Sequence, residues 1–396
     1  MSFLPVFRMI VTSDIHVHPD EDIQLERFSK GMKFAYDYAS GSEYKKIDAF
    51  FAVGDFADSG SEKEMLRFKA VLDESIAPET EKTLMLASHE FKHTNEADAI
   101  ERLAGIFSQL PDNHKVIGGF HCICLSTEDG CSIKSGKQMW LREQLKKAAE
   151  DDPEKPIFCF QHPHLFDTVY GSINWGDDDI ISILMDYPQV VDFSGHSHAP
   201  INDPRSVHQK YFTCFGTGSF DYFELDEFDK IYGTVPPDCD ECAQFLIVEV
   251  NAENSVRVLP VDVITNNFFP CESFIECPRE PDTFVYTHER ALAAAKPYFE
   301  KDTFFKVDYS EGEAEITFGQ AKIEKEYVDS YTIVVRKAEN NIIVRQINVS
   351  SSYYLYNMPE TVTVKTQLSE GEYLIQITAN GFWNNKSERL EKAVTL

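Results

Sequence analysis

The sequence lacks any apolar run near the roughly 18–20 residues that a membrane-crossing helix needs. It also lacks a basic start followed by an apolar core. Met1-Ser2-Phe3-Leu4-Pro5 runs straight into a strand-like segment, so no cleavable leader is expected and a cytoplasmic location is. Positive charge is scarce: 37 Lys and Arg face 66 Asp and Glu, a net charge of −29. Affinity for nucleic acid comes largely from neutralised phosphates. With no basic cluster, extended nucleic acid is disfavoured as a partner, and an anionic membrane for the same reason. A small anionic substrate stays open if something local and positive, such as a metal pair, overrides the global field. The nine cysteines are odd in number, and Cys122, Cys124 and Cys159 sit inside apolar runs. Reduced, buried thiols are therefore expected rather than a disulfide framework.

What is present is a soluble globular balance, 43% hydrophobic and 26% charged over 396 residues, enough for two or three domains. Short apolar runs alternate with amphipathic stretches up to about residue 200. Strands are expected at 8–13, 47–53, 83–87, 120–125, 157–161 and 190–194. Helices are expected at 22–39, 61–72, 95–110 and 136–150. That alternation predicts a layered α/β domain with ligand residues at strand C-terminal ends. The pattern turns β-rich at 211–215, 244–250 and 256–263. Residues 265–282, with Pro270, Pro278 and Pro281, read as a connection. Residues 287–299 read as a helix broken near Pro297. From about 303 onward, short alternating strands at 314–318, 330–336, 342–349, 361–366 and 372–378 suggest a β-sandwich.

Five polar clusters end predicted strands: Asp14-Ile15-His16, Gly54-Asp55-Phe56-Ala57-Asp58, Ser88-His89-Glu90, Gln161-His162-Pro163-His164 and Gly195-His196-Ser197-His198. Asp14 and His16, two apart in extended chain, point to one side. Asp55 follows a glycine exit and has two oxygens with which to bridge cations. His196 and His198 form an imidazole pair suited to a metal. Each pattern alone is weak, since Gly-Asp is a common turn and loop histidines are ordinary. Their coincidence at every strand end points to one shared metal site. Mixed nitrogen and oxygen ligands suit Mn, Fe, Zn, Co or Ni without choosing among them.

The order D-x-H, GD-x-x-D, H-E, H and G-H-x-H resembles the calcineurin-like metallophosphoesterases over residues 6 to about 200. Looser similarity to bacterial phosphohydrolases of that family runs to about 290. The resemblance implies a four-layer α/β/β/α sandwich and a centre of two divalent metal ions. It implies that Asp14, His16 and His198 hold one ion, that His162 and His196 hold the other, and that Asp55 bridges them. His89 would sit near the leaving group, oriented by Asp58. The family pattern has Asn where this chain has Ser88, a shorter ligand that implies a weaker second site. Arg205 and His93 are candidate substrate contacts, with a structural ion pair and a plain loop residue as the competing readings. Cys239-Asp240-Glu241-Cys242, with Cys271 and Cys277, is a weak zinc candidate. The tail resembles a fibronectin type III-like module, through Tyr331-Thr332-Ile333-Val334-Val335-Arg336, residues 371–379 and Gly381-Phe382-Trp383.

The expected organisation is a metallophosphoesterase domain at 1–285, a connecting helix at 286–302 and a β-sandwich at 303–396. The expected activity is hydrolysis of a phosphodiester or phosphomonoester by a metal-activated hydroxide. A nucleotide-like substrate and a homodimer both stay open. The alternative is a metal-deficient, non-catalytic binding protein on the same fold, for which Ser88 is the best support. The intact set of six other ligands argues against it.

Overall fold

The computed structural model describes residues 3–225, 236 and 238–396. The first part runs β1 (Pro5–Thr12), α1 (Ile23–Gly41), β2 (Ala49–Ala52), α2 (Glu62–Ser75), β3 (Glu81–Leu84) and α3 (Glu96–Phe107). It continues through β4 (Asn113–Ile117), β5 (Phe120–Leu125), α4 (Ser135–Asp151), β6 (Ile157–Gln161), β7 (His164–Leu165), α5 (Ser172–Trp175), β8 (Gly176–Asp177), α6 (Ile181–Leu184) and β9 (Val190–Ser194). Strands β10 (Val207–Gln209), β11 (Thr213–Gly216), β12 (Gln244–Asn251), β13 (Val256–Asp262), β14 (Asn267–Phe268) and β15 (Ser273–Ile275) follow.

Two mixed sheets result. One has the order β14-β13-β12-β1-β2-β3, with β15 also on β13; the other is β10-β11-β9-β6-β5-β4. The inner strands β1, β2 and β3 are parallel, as are β5, β6, β9 and β11. Parallel strands buried on both faces read as continuous apolar runs, which is why Ala49–Ala52 and Ile157–Gln161 stand out in the sequence. Apolar side chains facing inward from both sheets form one core, including the stacked rings of Phe51 and Phe160, 3.9 Å between centroids. The outer face of the first sheet packs on α1, α2 and α3, and that of the second on α4 and α6. These are the four layers α/β/β/α. Helix α2 begins where a capping box forms between Ser61 and Glu64, satisfying otherwise orphaned N–H groups.

The chain divides into two compact units, the first ending at His288 and the second being Glu289–Leu396, by its internal contacts. The helix expected at 287–299 is confined to α7 (Arg290–Ala293), because Ala294 turns to extended backbone and Tyr298 bridges to Lys322. The second unit holds β16 (Phe305–Ser310), β17 (Glu313–Gly319), β18 (Ser330–Lys337), β19 (Ile343–Ser350), β20 (Thr361–Gln367), β21 (Glu372–Asn380) and β22 (Leu390–Thr395). All its pairings are antiparallel, in sheets β16-β17-β20 and β19-β18-β21-β22. Alternate residues Tyr331, Ile333, Val335 and Ile375, Ile377, Ala379 are buried in its core, as a β-sandwich requires. No helix among the described residues is long and apolar enough to cross a membrane.

Candidate metal centre

The functional clusters all follow the C-terminal ends of parallel strands: Asp14 and His16 follow β1, Asp55 follows β2, Ser88 follows β3, His162 ends β6, and His196 and His198 follow β9. Parallel strands bring these ends to one edge of both sheets. The chain must then turn sharply to aim its side chains. Asp14, His16, Asp55, His196 and His198 all have left-handed backbone, with φ between 49° and 73°. Such conformations are costly outside glycine and cluster at functional sites.

Glycines supply close approach where a side chain has no room. A Cβ on Gly54, itself at φ 86°, would lie 2.7 Å from His162 Nδ1. One on Gly195 would lie 2.6 Å from Asp14 Oδ2. Both glycines therefore let strand ends pack directly against ligand side chains.

Two of the imidazoles, His162 and His198, are anchored at one nitrogen and present the other. His162 Nδ1 donates to the Val53 carbonyl at 2.7 Å and His198 Nδ1 to the Tyr222 carbonyl at 3.0 Å. Such anchors fix tautomer and ring orientation in metal-binding histidines. The free nitrogens converge. His16 Nε2 lies 3.0 Å from His198 Nε2, His198 Nε2 lies 3.3 Å from Asp14 Oδ1, and His162 Nε2 lies 3.0 Å from Asp55 Oδ2. Asp14, His16 and His198 form one group with ligand atoms within 4.8 Å of each other. Asp55, His162 and His196 form a second, and His16, Asp55 and His89 join the two.

The donor set fits two cations. Asp14 Oδ1 and His162 Nε2 are buried with no hydrogen-bond partner among the described residues. A buried polar atom left unpaired is costly, and a metal at either group would satisfy it. The electrostatics agree. Burial works against charge on Asp14 and Asp55, yet the surrounding histidines hold both carboxyls well below the usual range. Burial works against a charged His162 too, but Asp55 and Asp14 raise it to about 9. For His16, burial is likewise outweighed by Asp14, Asp58 and Asp55, which raise it to about 10. His196, by contrast, is lowered to about 4 by burial and by its neighbour His162.

Ser88 Oγ donates to Asp55 Oδ2 at 2.7 Å, and the His89 backbone N–H donates to Asp55 Oδ1 at 2.8 Å. Ser88 thus reaches the carboxylate shared by two of the candidate groups. His89 is half-buried, its ring 4.3 Å from that of His16. Its Nδ1 lies 2.5 Å from the Asp58 backbone carbonyl and 3.4 Å from the Asp58 carboxylate. The carbonyl is therefore the nearer contact, and the carboxylate also faces His16 at 3.6 Å and His18 at 3.6 Å. The His16 hydrogen bond, against burial, lowers Asp58 to about 2.

Arg205 donates to Asp203 at 2.9 and 2.6 Å and lies 3.8 Å over the Tyr170 ring, so the structural ion pair is present. His93 is exposed, and among the described residues it joins none of the candidate metal groups. The cysteines are free, Cys239 and Cys242 are buried, and none belongs to a candidate metal group among the described residues.

Two residues with larger structural parts than their sequence positions suggest are Glu90 and His164. Buried Glu90 accepts from the backbone N–H groups of Asp55, Ala57 and Ala87 at 2.9–3.0 Å. It thereby fixes the Asp55 loop against the Ser88 segment. Burial and the Asp55 charge raise its carboxyl to about 8. His164 is buried with Nδ1 at 2.8 Å from Ser194 Oγ and Nε2 at 2.6 Å from Ser197 Oγ, which ties down the loop bearing His196 and His198. The only sequence signal for either was proximity to a ligand.

The family model described as calcineurin-like phosphoesterase matches residues 7–200, so the chain carries a calcineurin-like phosphoesterase domain. No curated protein matches the sequence. Solved structures that match include a purple acid phosphatase from yellow lupin (Lupinus luteus) seeds, at 12% identity and TM-score 0.48, over 67% of this chain and 54% of that one. PhoD matches at 11% identity and TM-score 0.40 over 69% of each chain. A family 76 glycoside hydrolase from a bovine Bacteroides thetaiotaomicron strain matches at 20% identity and TM-score 0.19, over 25% of this chain and 20% of that one. The match spans about half the length of the lupin phosphatase, 54%.

Proposed function

We propose that the calcineurin-like phosphoesterase domain hydrolyses a small phosphomonoester or phosphodiester with two divalent metal ions, of Mn, Fe, Zn, Co or Ni. The observation that carries the reading is the pair of three-residue groups, Asp14–His16–His198 and Asp55–His162–His196, joined through Asp55 and His16. When bound, such a cation pair lowers the pKa of a water and offsets charge on the phosphoryl oxygens. The chain's own residues do the positioning. Asp55 lies between the groups with both oxygens held, by Ser88 and by the His89 N–H. The anchored rings of His162 and His198 keep Nε2 aimed inward. His89, held at Nδ1 by the Asp58 carbonyl, turns Nε2 towards the leaving-group oxygen, to which it donates in its protonated form; burial works against that form.

Arg205 and His93 stand as proposed substrate contacts, and Arg205 would have to exchange Asp203 for the substrate. The second unit is proposed as a fibronectin type III-like module, which its sheets of three and four antiparallel strands support. The chain is proposed to act in the cytoplasm, on a substrate that includes nucleotide-like compounds.

The test is hydrolysis of p-nitrophenyl phosphate and bis(p-nitrophenyl) phosphate by the full chain with each metal in turn, alongside metal analysis. The expected result is two ions per chain and turnover that chelation abolishes. Full metal loading without turnover of any phosphoester would overturn the reading in favour of a non-catalytic binder.

A further inference from the structure

The outer face of the sheet β19-β18-β21-β22 is a concave groove of about 690 Å³, within the roughly 300–1,000 Å³ of small-molecule sites. Strand alternation builds its floor. Tyr331, Ile333 and Val335 point into the core, so Thr332, Val334 and Arg336 point out; on β21, Gln376, Thr378 and Asn380 do the same. Thr332 pairs with Thr378 and Val334 with Gln376 across the strands. Gln376 is only 7% exposed although it is on the outer face, which shows how deep the floor lies.

The floor is organised by hydrogen bonds. Arg336 Nε donates to Gln376 Oε1 at 2.9 Å, and Gln376 Nε2 donates to Glu391 Oε1 at 2.6 Å. This relay crosses β18, β21 and β22 and sets the Arg336 guanidinium over the floor. It also engages Glu391, one of the two carboxylates that line the groove. The wall is the segment leading into β22, with Lys386, Glu388 and Arg389. Lys386 and Arg389 are exposed, and among the described residues neither is paired with a carboxylate. Three cations thus line one groove in a chain of net charge −29. No aromatic ring lines it among the described residues, so a nucleobase has nothing to stack on. The hydroxyls of Thr332 and Thr378 suit a ligand rich in hydroxyls, and Asn380 Nδ2, donating to Ser330 and Thr332 at 3.2 and 3.1 Å, holds the Thr332 hydroxyl in place.

We propose that this groove is a second binding site, separate from the metal centre, for a small phosphorylated sugar. A phosphomonoester is favoured over a carboxylate because it brings about −1.5 to −2 charges to the three cations rather than one. Arg389 can match its oxygens in a bidentate fork, while Arg336, whose Nε and Nη1 donate to Gln376 and the Asn341 carbonyl at 2.9 and 3.2 Å, adds charge and its remaining N–H groups. The sugar hydroxyls lie on the threonine floor.

The probe is the phosphonate analogue of glucose 6-phosphate, whose C–P bond a phosphoesterase does not cleave. It is titrated calorimetrically into the full metal-loaded chain. Two binding events per chain are expected. The Lys386→Gln/Arg389→Gln variant weakens one of them by at least about tenfold, with unchanged turnover of p-nitrophenyl phosphate and unchanged melting. Glu388→Gln tightens the same event, and rising salt weakens it. His162→Ala removes only the other event, so failure of the phosphoesterase reading and failure of this one are distinguishable. A Lys386→Gln/Arg389→Gln variant that binds the probe as the parent chain does, a parent chain with no event that this variant weakens, or equal binding of glucose would each overturn the proposal.

Discussion

Residues 1–288 carry 50 acidic and 24 basic side chains, while residues 289–396 carry 16 and 13. The negative charge therefore lies mostly in residues 1–288, which hold the metal centre, at −26, and residues 289–396 are close to neutral at −3. A unit built to receive a phosphoester would be expected to draw anions in, and this one repels them at long range. Screening limits that repulsion to about 8 Å at physiological salt, so the sign of the field at the centre is set locally. Asp14 and Asp55 add to the negative charge there. His16 and His162, raised to about 10 and 9 by those carboxyls, offset it, and on the proposed reading the two bound cations would carry the field at the centre to positive.

The backbone shows a second contrast between the units. In the sandwich, the left-handed non-glycine residues are Glu311, Lys325, Asn341, Ser352 and Asn384, all between strands, where a chain must reverse. In the first unit, five such residues are metal-ligand candidates, and Ser108, Asp167, Asp238, Asn254 and Asn266 lie in connections. Left-handed backbone serves connection in both units and side-chain aim at the metal centre.

The strongest test of this contrast is Asp55→Asn. Asp55 joins the two ligand groups, so its loss should cut kcat/KM by more than the roughly 10–100-fold typical of losing an outer-shell partner, and metal analysis should show fewer ions bound. Unchanged metal content would break the link between the −26 unit and its cations. The counterpart in the sandwich is Ile377→Ala, at a fully buried core position. It should destabilise that unit by about 2–5 kcal/mol, seen as an earlier melting phase in calorimetry. Metal stoichiometry and turnover should stay as they were. A loss of metal in this variant would show the units to be energetically one.

Ser88→Asn is expected to have a smaller effect. Ser88 offers the second group only a hydroxyl, already donating to Asp55 at 2.7 Å. Asparagine brings a carbonyl oxygen on a longer arm, so the second ion should bind about tenfold tighter by calorimetry. Equal affinities for the two proteins would mean that Ser88 plays no part in the second site.

The sequence made the four layers legible because buried parallel strands leave unbroken apolar runs. The expected strands at 120–125, 157–161 and 190–194 match β5, β6 and β9 to the residue. It missed β4, half-buried at the sheet edge, and the sandwich edge strands β16 and β22, whose residues alternate without deep burial. The ligand groups were legible because the metal chemistry demands Asp and His at strand ends. The devices that hold them were not. Left-handed φ at Asp14 or His198 leaves no mark in the residue type. The three N–H bonds to Glu90 and the two serine contacts of His164 exist only once distant loops meet. The helix expected at 287–299 failed because local alanine-rich propensity gave way to the bridge between Tyr298 and Lys322.

The gentlest prediction concerns a charge that the acidic unit hides from its own field. Asp192 on β9 sits in register between Cys159 and Cys214, fully buried. Its Oδ2 accepts a bond from Gln161 Nε2 at 3.3 Å, and Oδ1 has no partner among the described residues. Burial raises its carboxyl to about 8, with Gln161 opposing. An unfolded aspartate titrates near 3.9, so between about pH 4 and 8 the folded protein binds the extra proton. Stability from this group is thus fully present below about pH 4 and is lost as pH rises towards 8. Asp192→Asn removes the ionisation and keeps the shape. Its melting temperature, taken relative to the parent's, should be higher at pH 9 than at pH 5 by at least about 2 °C. Comparing the two proteins at each pH cancels the titration of the metal centre, which both share. A variant less stable than the parent at pH 9 would mean that the ionised carboxylate is accommodated in the core, and that the acidic surface and the apolar interior of this unit are less sharply separated than the structure shows.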